Sequence, residues 1–165
     1  MEPDDLLLDR AAVSSALGDR ARLDPDRDPS APPAHRLGSL VSAAALKSAY
    51  RTFSGFAQVD EAPTPLAVSE MALLFGSPER SANMFAQIAH AAHLRTTVAG
   101  IDVAVETVTS PAGLASYWGF LQRGDGLIIL TLDTMSPEEI SLSDFRLLVA
   151  AAADRMDRQF GESPS

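Results

Sequence analysis

The chain has 165 residues, 46% of them hydrophobic, and 22 acidic against 13 basic residues give a net charge of −9. This is enough chain to bury a core as one domain, and too apolar for wholesale disorder. The acidic balance repels phosphate backbones and disfavours nucleic-acid binding, while the absence of cysteine excludes disulfides, thiol nucleophiles and cysteine-held zinc.

The first element spans Leu6–Leu17. Asp9 is placed to cap a short helix with Ala12, Val13, Ala16 and Leu17 on its apolar side, and Gly18 supplies the left-handed stop. Residues 24–36 carry four prolines and alternating charge, the pattern of a linker or loop. The Ala-rich stretch 39–49 suits a short helix, and Tyr50–Phe56 is aromatic and β-branched enough for a strand.

After a Pro-containing break, Ala67–Phe75 is apolar on both alternating faces, with Ala67, Met71, Leu73 and Phe75 on one and Val68, Glu70, Ala72 and Leu74 on the other. A strand of this kind is covered on both sides. Ser77-Pro78-Glu79 opens a helix: a capping hydroxyl, a proline at the first helical position and an acid at the positive end of the dipole. Met84, Phe85, Ile88 and Ala92 form its apolar stripe, and the spacing predicts an end near His93.

Ile101–Thr109 alternates as a strand, and Ser116–Arg123 and Leu127–Asp133 flank Gly124-Asp125-Gly126 as a hairpin. Ser136-Pro137-Glu138-Glu139 starts a turn, Ser143 is placed to cap a last helix, and residues 161–165 are expected to fray. The whole chain 1–165 therefore reads as a single α+β domain: a twisted, mostly antiparallel sheet of about five strands with two long helices packed on one face.

The acidic start at Glu2, Asp4 and Asp5 and the short run Leu6–Leu8 do not form an export signal. The expectation is a cytoplasmic protein, or an extracytoplasmic one whose signal or membrane anchor has been removed. No apolar run approaches the ~20 residues of a membrane helix.

Reactive chemistry is sparse. His90 and His93 are the one close histidine pair, and at i, i+3 they would share a helix face as two metal ligands; placement at a helix C-terminus, where imidazolium meets the dipole, accounts for them as well. No Gly-x-Ser-x-Gly elbow and no phosphate-binding glycine loop is present. The adjacent acids Asp4-Asp5, Asp60-Glu61 and Glu138-Glu139, in loops or helix starts, suit solvated groups or dipole partners better than a facing catalytic pair. Arg123-Gly124-Asp125 matches a short adhesion tripeptide, at a place where a hairpin needs Gly and Asp for backbone reasons. Met71, Met84, Phe85, Trp118 and Phe120 are the candidate lining of an apolar pocket, or else core beneath the helices.

Three segments carry a family resemblance: Leu6–Gly18, then Val68–Phe75 with the following Gly76-Ser77-Pro78-Glu79-Arg80-Ser81-Ala82, and Phe120–Leu130. In order and character they resemble the extracytoplasmic sensor domains of actinobacterial Ser/Thr kinases and related bacterial lipoproteins. The resemblance implies an exported α/β domain with a cleft, anchored by lipid or a membrane helix. The chain departs from that group in lacking cysteines, which the kinase sensors usually carry in disulfides, and no functional residue carries over.

Two functions stand as expectations. One is a non-catalytic, ligand-binding or sensor-like domain of an exported bacterial protein, taking a small apolar ligand and using no cofactor. The other is a cytoplasmic protein-interaction or chaperone-like domain, as a monomer or a dimer. A hydrolase would require His90 or His93 beside a carboxylate or serine in a cleft.

Overall fold

The computed structural model describes residues 1–24, 41, 43–57, 63–90 and 92–161. Most of the expected loop at 24–36, part of the expected helix at 39–49, the Asp60-Glu61 pair and most of the expected frayed end fall outside these residues.

Among the described residues, seven strands form one sheet: β1 (Ala21–Leu23), β2 (Lys47–Ala57), β3 (Thr64–Leu74), β4 (Leu94–Val98), β5 (Ile101–Thr109), β6 (Ala115–Arg123) and β7 (Gly126–Thr134). Their order is β1-β2-β3-β7-β6-β5-β4, with every ladder antiparallel. Among the described residues, three α-helices accompany the sheet: α1 (Arg10–Leu17), α2 (Pro78–Ile88) and α3 (Leu142–Gly161). The α+β class is as expected, but the sheet has seven strands instead of about five. The additional strands lie at the two edges. β1 is three residues long, and all five residues of β4 are exposed, so neither offers the apolar alternation by which a strand is read from sequence.

Local chemistry sets several boundaries. Asp9 accepts a 2.8 Å hydrogen bond from Ala12 N and starts α1, while Leu6 belongs to a preceding 3-10 turn, Pro3–Leu6. Gly18 ends α1 with φ of +60°, a conformation that costs glycine little. Ser77 accepts from Arg80 N at 3.3 Å, with Pro78 in the first turn of α2. The β6–β7 hairpin turns on Gly124, φ +56°, the positive angle a tight two-residue turn requires. Ser143 is not the cap of α3. It lies inside the first turn, and Ser141 stands just before the helix, its N–H donating to Asp144 Oδ2 at 2.8 Å.

The sheet has two covered faces. On the first, Val68, Val105, Tyr117, Leu121, Ile128 and Leu130 meet α1, α3 and the segment Leu6–Leu8. On the second, Met71, Leu73, Phe120, Leu127 and Ile129 meet α2. The two longer helices therefore lie on opposite faces, which corrects the expectation that both pack on one. Topology provides the reason. α2 links β3, in the middle of the sheet, to β4 at its far edge, so it crosses the intervening strands. α3 follows β7 and returns over the other side, where Phe145 and Val149 pack above Gly119. With helices on both sides, β7 buries every residue from Leu127 to Leu132, as a doubly covered strand must.

Candidate functional site

Among the described residues, α2 covers only part of the second face of the sheet, and Val41 and Ala45 pack into the same cluster. Beside α2 lies a hollow of about 330 Å³ lined by Ile88, Glu106, Val108, Ser116, Trp118 and Phe120. β6 builds its floor: residues two apart point the same way along a strand, so Ser116, Trp118 and Phe120 share this face. The rings of Trp118 and Phe120 stack with centroids 6.3 Å apart. Glu106 of β5 is the cross-strand partner of Trp118.

A second hollow of about 440 Å³ opens further along the same face, with Ser54, Phe56, Pro65, Ala67, Asp133 and Met135 in its wall. Ser116 of one hollow and Asp133 of the other are cross-strand partners, and the serine hydroxyl donates to Asp133 Oδ1 at 2.5 Å. This pair forms the ridge between the two spaces. The surface is thus largely apolar with a few fixed polar groups, the composition of a small-molecule site.

The five residues expected to line an apolar pocket fall in one cluster on this face. Trp118 and Phe120 line the smaller hollow. Met71, buried on β3, and Met84 and Phe85, half-buried on α2, pack in the same cluster without lining it. His90 and His93 do not share a helix face. The helix ends at Ile88; His90 sits in the turn after it with Nδ1 2.7 Å from Gln87 O, and His93 precedes β4 with its N–H on Val105 O. Both are exposed, and among the described residues no three His, Asp or Glu side chains group to hold a metal ion. Arg123 of the adhesion-like tripeptide is tied to Asp157 of α3.

Glu70 escaped the sequence reading as a candidate. It lies on β3 facing α1 and α3, only 2% exposed. Its Oε2 accepts the Leu8 N–H at 2.7 Å, and Oε1 is buried without a hydrogen-bond partner. Burial pushes the carboxyl up to about 7, against the pull of the Leu8 N–H, Arg51 and Arg155. The available signal was one carboxylate inside an otherwise apolar strand. Asp144, 2% exposed, has ordinary compensation by contrast: it accepts from Ser141 N–H and Oγ–H and pairs with Arg20. Tyr117 donates its hydroxyl to Ile140 O at 3.1 Å, and burial raises its pKa.

No family model and no curated protein sequence matches the chain. Among solved structures, the extracellular domain of PknH from Mycobacterium tuberculosis is similar, with a TM-score of 0.53 over 93% of this chain and 94% of that one at 7% identity. The likeness is one of fold. No helix among the described residues is long and apolar enough to cross a membrane.

Proposed function

We propose that this chain is a non-catalytic, sensor-like domain of an exported bacterial protein that binds a small, largely apolar ligand on the second face of its sheet. The fold shared with the PknH extracellular domain over nearly the whole chain carries this reading. The hollow beside α2 supports the location, because it combines an aromatic floor with few polar groups. Trp118 is the one tryptophan in the chain, so the residue on the site floor is also its reporter.

The test is a titration of the intact chain with N-phenyl-1-naphthylamine, a neutral apolar fluorophore that accepts energy from tryptophan. Saturable energy transfer from Trp118, abolished by filling the hollow with Ser116→Phe, is the expected result. A variant that unfolds would be recognised by its circular dichroism, and Val108→Phe then fills the same space from β5 without adding a second tryptophan. A folded wild-type protein that gives no saturable transfer refutes the site.

A further inference from the structure

Residues 1–8 lie across the first face of the sheet, held there by the buried side chains of Leu6, Leu7 and Leu8 and by hydrogen bonds to their backbone. Leu6, Leu7 and Leu8 are each at most 2% exposed. Three side chains from three elements reach up to the segment: Glu70 of β3 accepts the Leu8 N–H, Arg51 of β2 donates to the Leu8 carbonyl at 2.8 Å, and Arg155 of α3 donates to the Asp5 carbonyl at 2.8 Å. Closing the segment seals the carboxyl of Glu70 from water with Oε1 unsatisfied.

We propose that residues 1–8 are a proton-operated strap: with Glu70 neutral the strap stays closed over the sheet, and ionisation of Glu70 loosens it so that water reaches the carboxylate. An ionised carboxylate enclosed in apolar surroundings, one oxygen lacking a donor, is a costly arrangement. Lifting the strap hydrates it. The same movement frees Arg51 from the Leu8 carbonyl, so the guanidinium can turn to the carboxylate it now adjoins.

The charged groups around Glu70 fit this direction. Arg51 and Arg155 attract its ionised form, but both also donate to strap carbonyls. Its cross-strand partner on β7 is Leu130, which is apolar. On the strap, Asp4 and Asp5 are exposed and Glu2 pairs with Lys47 at 2.6 Å. At the start of α1, Asp9 caps Ala12, and Arg10 donates to the Asp24 carbonyl and lies over the Phe53 ring. The opposing force is burial of the three leucines. The strap therefore loosens without being lost, and the device changes its open population.

Folded-state pKa is raised in this case, so closure is fully supported below the ordinary carboxyl range and the support is lost as pH rises through about 7. For a carboxyl that titrates near 7 when covered and near 4.5 when exposed, the closed-to-open ratio falls roughly 70-fold between pH 5 and pH 8.5. Amide hydrogen exchange of the intact chain, corrected for intrinsic base catalysis, reads this at Leu7 and Leu8, with Ile128 and Leu130 of β7 as the core reference. The strap amides should be less protected than the core and lose protection by several tens-fold over that range, and Glu70→Gln should remove the difference. Strap protection that is indifferent to pH, an unchanged response in Glu70→Gln, or strap exchange matching Ile128 and Leu130 at every pH overturns the proposal. If Glu70→Gln does not fold, the wild-type chain decides: loss of Leu7 and Leu8 protection that follows the carbon-13 titration of the Glu70 carboxyl upholds the device, and a carboxyl with an ordinary midpoint, or strap protection that does not follow its titration, overturns it.

Discussion

Gly119 is the notch in β6 against which α3 docks. A Cβ there would stand 3.0 Å from Val149 Cγ2 and 3.2 Å from Phe145 Cζ, closer than side chains normally approach. Phe145 is fully buried and Val149 only 7% exposed, so neither has free space to retreat into. Overpacking of this kind costs typically 1–3 kcal/mol. Gly119→Ala recovers part of that, about 0.5–1 kcal/mol, by removing glycine's extra unfolded-state freedom, for a net loss of about 1 kcal/mol. Gly119→Val places two further methyl groups in the same gap and should lose about 3 kcal/mol. Urea unfolding followed by the emission of Trp118 measures both: the midpoint should fall while the slope stays constant, because the surface exposed on unfolding is unchanged. Val149→Ala opens the crowded side, so in a double-mutant cycle it should relieve the Gly119→Ala cost by at least ~0.5 kcal/mol. Gly119→Val as stable as the wild type, or a cycle with no coupling, would show that α3 does not seat on this side of the sheet.

Other expectations follow from buried polar groups. Because the folded carboxyl of Glu70 titrates near 7 instead of 4.5, wild-type stability should fall relative to Glu70→Gln by about 3 kcal/mol as pH rises from 4 to 8; urea midpoints of the two proteins across that range check it, and parallel curves would contradict it. Tyr117→Phe leaves the Ile140 carbonyl unpaired in the core and should cost about 1–2 kcal/mol by the same assay. Asp144→Ala removes two hydrogen bonds and a charge from the start of α3 and should cost about 2 kcal/mol. Arg20→Ala leaves Oδ1 of Asp144, whose side chain is only 4% exposed although that of Arg20 is 59% exposed, without its ion-pair partner, and should cost about 1–3 kcal/mol; thermal unfolding compares the two.

Local elements were legible wherever the signal is local. The Asp9 cap, the Ser77-Pro78 start, the Gly124 turn and the alternation of Ile101–Thr109 each follow from a few adjacent residues, and each stands where the sequence put it. β4 was not legible. Leu94–Val98 reads Leu-Arg-Thr-Thr-Val and is exposed throughout, so its strand character comes from pairing with β5 and not from its own pattern. The His90–His93 pair failed for a related reason: the helix was extended through residues that turn away to enter that edge strand. In the candidate site, the association of Trp118 with Phe120 followed from their spacing on one strand. Their separation from Met84 and Phe85 within the same cluster did not.

The sequence alone determined the class of the fold, the Asp9 and Ser77 caps, the Gly124 turn, the doubly apolar character of the central strands and the absence of cysteine chemistry. These depend on near neighbours and on periodicity. Tertiary structure decided which face each helix covers, because both faces of β3 and β7 are apolar and either would accept an amphipathic helix; the crossing from a central strand to a far edge settles it. It also decided the fate of Glu70. A single carboxylate in a strand is an ordinary surface residue until residues 1–8, more than sixty positions away in the chain, close over it and make its charge expensive.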